Sequence, residues 1–140
     1  MTKFISVGFL LVSLSLVACK KNNTPEIDLN EMVDSTVTIK YTSIFSNGTY
    51  GTVTGVAKIF QTGSSYDLKL MNFSSSNGPD LRVYLSKEMQ PQNFIDLAAL
   101  KATGGNQVYE INTLIDFTQY KYALIHCRQY NHLFGWAELQ

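Results

Sequence analysis

Apolar side chains fall at every second position in one short run after another along this chain, a spacing that an extended strand sorts onto one face. In "LRVYLS" Leu81, Val83 and Leu85 alternate with Arg82 and Tyr84. In "YDLKLMNF" Leu68 and Leu70 share a side, and in "TVTIKYTSIF" Val37, Ile39 and Tyr41 alternate with Thr38, Lys40 and Thr42. The punctuation between the runs agrees. "SNG" predicts a hairpin-type turn, because Asn-Gly accepts positive φ, and Gly55 inside "TVTGVAKIFQT" predicts a bulge or a close backbone approach. "TGSS" reads as a turn, "SSSNGPD" as a loop, and "GGNQVYEI" as a turn into a short strand. The stretch "QPQNFIDLAALKAT" has the spacing of a short helix, with Asn93 as cap and Phe94, Leu97, Ala98 and Lys101 along one side. "KYALIHCRQ" and "LFGWAELQ" close the domain as two strands. Seven or so short strands at regular spacing predict an all-β fold: a single antiparallel β-sandwich or barrel-like domain with at most one short helix.

The front end, "MTKFISVGFLLVSLSLVACKKN", has basic Lys3, an unbroken apolar stretch from Phe4 to Val12, and small residues leading to Cys19. This is the layout of a secretory signal peptide, too short and wrongly flanked for a membrane-spanning helix. Leu16-Val17-Ala18-Cys19 resembles a bacterial lipobox, which implies a signal peptide over residues 1–18 and a lipidated Cys19 at the mature N-terminus. Inserted acyl chains would then hold the protein to a membrane without a spanning segment. Residues 19–35 are polar, carry Pro25 and show no sustained periodicity, so they read as a tether. The folded domain is expected over 36–140. Lys20 differs from the Asp that retains some lipoproteins at the inner membrane, which points to the outer membrane of a bacterial cell envelope.

Composition narrows the function. With Lys3 removed from the eleven basic residues, ten face eleven acidic ones. No basic stripe is present, so nucleic acid is not an expected partner. A hydrophobic content of 45% and an aromatic content of 12% suffice for a core of one small domain. No nucleophile-elbow sequence, H-E-x-x-H or phosphate-binding glycine loop occurs. One Cys and two poorly placed His do not make a closed zinc set.

Once Cys19 is lipidated, Cys127 is the last cysteine and has no intrachain partner, so it reads as a potentially reactive or intermolecular thiol. In "YALIHCRQ" the residues Ala123, Ile125 and Cys127 share the apolar, inward face. With Tyr130-Asn131-His132 as the turn, Cys127 falls opposite Gly135, Ile125 opposite Ala137 and Ala123 opposite Leu139. A thiol facing a residue with no side chain leaves space. Aromatics such as Phe73 or Tyr84, or a prosthetic group, are the candidates to fill it. Thiolate ligation of haem iron or of a metal would require deprotonated Cys127. His126 is excluded as co-ligand because it points to the other face, where the same register pairs it with Trp136. His132 is expected in solvent, Met71 and Met89 read as core filler rather than ligands, Glu110 and Asp116 as solvated charges, and Asp80 as a turn-holding carboxylate.

The residues Asn72-Phe73, Gly78-Pro79-Asp80-Leu81, Val83-Tyr84-Leu85-Ser86, Gly105-Asn106-Gln107-Val108-Tyr109 and Ile125-x-Cys127 leading to Phe134-Gly135-x-Ala137 together resemble the DM-thirteen domain. That domain occurs in Skeletor-type animal proteins and in bacterial exported proteins. The resemblance runs from about Ser46 to Leu139 and implies a β-sandwich with an extracellular electron-transfer role centred on Cys127, as a bare thiol or as the ligand of a group such as haem. This chain has Thr52 or a neighbour where the family usually has His, His126 where it tends to have Trp, and Leu97-Ala98 in place of Leu-Gly. The missing histidine removes one second haem ligand.

The expectation is therefore an exported, lipid-anchored domain with a redox role carried by Cys127, exchanging electrons with a partner protein. Gly135 would make room, and Tyr84 and Phe73 would wall the site. An electron carrier or sensor fits better than a substrate-turnover enzyme. The alternative is a non-catalytic binding module on the envelope, using surface loops such as 74–80 to hold a glycan or protein.

Overall fold

In the computed structural model, which describes residues 23–33 and 36–140, the described residues contain no helix. Ten strands form two five-stranded sheets packed as a β-sandwich. The first runs in the order β1 (Asp28–Asn30), β8 (Gly104–Ile111), β5 (Ser65–Ser75), β4 (Val53–Thr62) and β2 (Thr38–Ile44). The second runs β3 (Ser46–Asn47), β10 (His132–Glu138), β9 (Tyr122–Cys127), β6 (Leu81–Ser86) and β7 (Phe94–Ala99). Every pair is antiparallel except β1 with β8.

The alternating residues meet between the sheets. Leu68 and Leu70 of β5 and Ala57 and Ile59 of β4 pack against Leu81, Val83 and Leu85 of β6 and Ala123, Ile125 and Cys127 of β9. Each large aliphatic side chain buried there contributes roughly 1.5–3 kcal/mol. Gly55 sits at a register break between Thr54 and Val56 with φ of 111°. Gly63, at φ 60°, makes the β4–β5 turn.

Three expectations are corrected. The stretch expected as a helix contains strand β7, which completes the free edge of β6. Pairing the exposed N–H and C=O groups of that edge outweighs the weak helical preference of so short a segment. "SNG" is no hairpin turn: Ser46 and Asn47 leave the first sheet and pair with Trp136 and Gly135 in the second. The change of sheet is locked by Gly48 N–H donating to Phe134 O at 2.7 Å and by the Asn47 side chain accepting from Val53 N–H at 2.8 Å.

The third correction concerns the tether. Residues 23–31 are a strap laid along the domain. Its strand β1 pairs with Gly104–Asn106, where a side chain on Gly104 would meet Asp28 and one on Gly105 (φ 89°) would meet the Leu29 backbone. Glu31 pairs with Lys101 Nζ at 2.8 Å and accepts from Val108 N–H at 2.7 Å. Thr103 N–H donates to Pro25 O at 2.9 Å. The receiving loop is itself pinned, because buried Gln107 donates to Ala102 O and Gly104 O and accepts from the Tyr109 hydroxyl at 2.6 Å. The expected boundaries at residues 1–18 and at Cys19 lie outside the described residues.

Candidate functional site

Cys127 ends β9, a central strand with β6 on one side and β10 on the other, and its side chain joins the inter-sheet core at 1% exposure. Its Sγ donates to the carbonyl of Pro79 at 3.0 Å. The carbonyl offers only lone pairs, so the thiol is the donor of this contact.

The loop that supplies this carbonyl, residues 76–80, is tied down on every side. Ser76 N–H donates to Thr52 O at 2.9 Å, and Arg128 N–H donates to Asp80 O at 3.1 Å. Asp80, at φ 52°, holds Arg128 through a 2.8 Å ion pair rather than closing an Asx turn on itself. The strap adds a backbone bridge from Asn23 to Pro79. The Asn77 amide donates to Thr24 O at 3.0 Å and to Glu26 Oε1 at 2.8 Å. Beneath the loop, the ring of Phe134 lies against Gly51 and Gly78, where any side chain would strike it.

The β9–β10 register differs from the expected one. Cys127 faces His132, Ile125 faces Gly135 and Ala123 faces Ala137. The turn takes four residues, Arg128–Asn131, with Asn131 at φ 54°, and Phe134 is the extra residue at a register break between Leu133 and Gly135. Gly135 therefore does not make room for Cys127. A Cβ there would enter the Val53 side chain, so the glycine admits Val53 from the facing sheet.

Phe73 is buried in the same core as Cys127, edge-on to Phe45 with ring centroids 5.8 Å apart. Tyr84 is not part of that core. It belongs to a second cluster on the outer face of the sheet with Leu124 and Leu133, where it stacks on Phe94 at 4.4 Å and on His126 at 5.3 Å. His126 does point away from Cys127, but its cross-strand neighbour is Leu133, and Trp136 pairs with Leu124. His126 is 3% exposed and neither ring nitrogen has a hydrogen-bond partner. Burial pushes its pKa below the ordinary 6.5, only partly offset by the nearby Asn131 side chain, and His132 depresses it further. His132 is half-buried, stacked flat on Tyr50 at 3.6 Å with Tyr130 5.9 Å away.

Of the residues singled out by sequence, the core brings Cys127 and Phe73 together, and leaves Tyr84 and His126 on the far side of the sheet. Pro79 and Asn77 escaped notice as partners of the thiol site. Their only sequence signal is the turn-forming Asn77-Gly78-Pro79, and nothing local links it to a strand 48 residues on.

The packing does not suit a haem. Val53 fills the space at Gly135 and Phe134 fills the space under the loop. A cleft of about 310 Å³ between strap and loop is lined by Asn23, Pro25, Asp80, Leu81 and Arg82 but not by Cys127. Among the described residues no three His, Cys, Asp or Glu side chains are grouped to hold a metal ion.

The fold and site define a class: a β-sandwich with one thiol buried at the end of a central strand beneath a strapped loop. A family model described as electron transfer DM13 matches residues 44–139, and the chain belongs to that family. No curated protein and no solved structure matches it.

Proposed function

We propose that this is an exported domain, lipid-anchored through Cys19 on a bacterial envelope membrane, whose electron-transfer role is carried by the bare thiol of Cys127. The observation behind this reading is the S–H···O=C bond to Pro79. It holds the thiol under a loop whose ties are a few hydrogen bonds and one ion pair. When the loop lifts, the proton passes to solvent and the thiolate attacks one sulfur of a partner protein's disulfide. A mixed disulfide forms and the partner's other sulfur leaves as thiolate. A thiol of a reduced donor protein then attacks Cys127 Sγ and releases the first partner as a dithiol. The donor's second thiol attacks the donor sulfur of the new mixed disulfide, which frees Cys127 and leaves the donor as a disulfide. Cys127 cannot resolve the bond internally, so each resolving thiol comes from a partner.

The experiment is a thiol titration of the folded full chain beside Cys127→Ala, with absorption spectra of both. A colourless protein that takes up one equivalent of glutathione from glutathione disulfide, reversibly and only with Cys127 present, is the expected result. A Soret-type band that disappears in Cys127→Ala would replace the bare thiol by a haem ligand. A thiol inert to disulfides and oxidants in the folded chain would sink the redox reading and leave the binding module.

A further inference from the structure

We propose that the Cys127 end of the sandwich lies against the membrane, with Tyr50 and Tyr130 seated at the lipid–water interface. The proposal rests on the lipid-anchor reading and goes beyond it by assigning an orientation and a contact surface.

The first observation is reach. The strap is part of the fold from Asn23, which bridges to Pro79 in the loop over Cys127. Only residues 20–22 separate Asn23 from the proposed lipidated Cys19. A chain advances at most about 3.6 Å per residue, so those four steps span no more than about 14 Å. The lead leaves the domain at this end, because the strap is fixed along β8 by strand pairing and by the Glu31–Lys101 ion pair.

The second observation is what this end displays. Tyr50 is 55% exposed and Tyr130 57% exposed, with His132 stacked on Tyr50 and tilted toward Tyr130 at 5.9 Å. The group adjoins the loop through Arg128, which pairs with Asp80. Two large exposed aromatics beside the anchoring end are what a lipid interface accepts, since the phenol ring partitions into the headgroup region with its hydroxyl toward water. The opposite end carries Leu114, which is 98% exposed. β8 runs from Gly104 beside the strap to Ile111 beside that loop, a rise of about 23 Å. Leu114 therefore stands well away from the bilayer.

The consequence for function is one of access. A partner that exchanges electrons with Cys127 works at the membrane surface, in the gap between domain and lipid.

The test uses the full lipidated chain from an exporting host in phosphatidylethanolamine–phosphatidylglycerol vesicles containing brominated lipid. Trp136 is the one tryptophan, so Trp136→Phe clears the background for Tyr130→Trp and, separately, Leu114→Trp. Expected is quenching of the tryptophan at 130 at least about threefold stronger than at 114, with a blue shift on vesicle addition. Equal quenching at both positions in a chain that floats with the vesicles overturns the orientation while leaving the anchor standing. A chain that carries no lipid mass on Cys19 and does not float overturns the anchor reading and this proposal with it. If Trp136→Phe does not fold, the same comparison is made with Trp136 retained and its signal read from the parent chain, and it separates the same outcomes.

Discussion

The thiol of Cys127 donates to the carbonyl of Pro79 across 3.0 Å, joining a strand end to a loop 48 residues earlier. Neither residue is placed by local sequence alone; the contact exists because β6 and β9 pair with Leu81 opposite Cys127. Loop and thiol are thus one unit, and whatever loosens the loop uncovers the sulfur.

Asn77 is the side chain to test that coupling. Its amide makes two hydrogen bonds to the strap, together worth about 1–2 kcal/mol, so Asn77→Ala is expected to raise the reaction rate of Cys127 with a small aromatic disulfide about 5- to 30-fold. Stopped-flow rates at matched pH decide it. An unchanged rate would mean the strap does not restrain the loop.

Gly135 and Val53 form a size-matched pair across the two sheets. Gly135→Ala is expected to cost about 1–3 kcal/mol by overpacking. Val53→Ala, damaging alone, should recover part of that loss in the double variant. A urea double-mutant cycle reads the coupling; strictly additive losses would show that the glycine answers to something else.

His126 gives the fold a pH dependence of predictable sign. Its folded pKa lies below the ordinary 6.5 because burial disfavours the imidazolium, while the unfolded chain keeps the ordinary value. Below that value the unfolded state binds the extra proton, so stability falls as pH drops from about 6.5 toward the folded pKa. His126→Phe keeps a ring against Tyr84 and removes two unpaired nitrogens. Urea midpoints near neutrality and near pH 5 should converge in that variant. A wild-type slope surviving in His126→Phe would assign the acid loss to other groups.

Cys127→Ala removes a buried sulfur and leaves Pro79 O without its donor, for an expected loss of about 1–3 kcal/mol in chemical denaturation. A neutral result would mean that water or a loop shift takes the place of the thiol.

The strands were readable where one set of alternating residues is apolar and enters the core between the sheets. Leu81, Val83 and Leu85 alternate because β6 has the core on one side, and Gly55 marked its bulge because a side chain there would hit the Met71 carbonyl. β7 was not readable as a strand, since Phe94, Leu97 and Ala98 satisfy a helical spacing as well as an extended one, and only the waiting edge of β6 chooses between them. The strap was opaque for a related reason. Asp28–Asn30 carries no alternating pattern, and its partner is a pair of glycines whose bareness leaves no hydrophobic trace in either segment. At the site, the inward thiol was legible from strand parity. The Gly135 register was not, because a four-residue turn and the extra Phe134 each change the count, and neither leaves a local signature.

The strap has a consequence for how the domain can be handled. The family match begins at residue 44, after β1 and most of β2. A fragment cut to the matched span would lose both outer strands of the first sheet and bare the flanks of β8 and β4. Two raw flanks on one sheet invite strand-to-strand stacking between copies. With β1 and β2 in place, both flanks already carry a strand partner from the same chain.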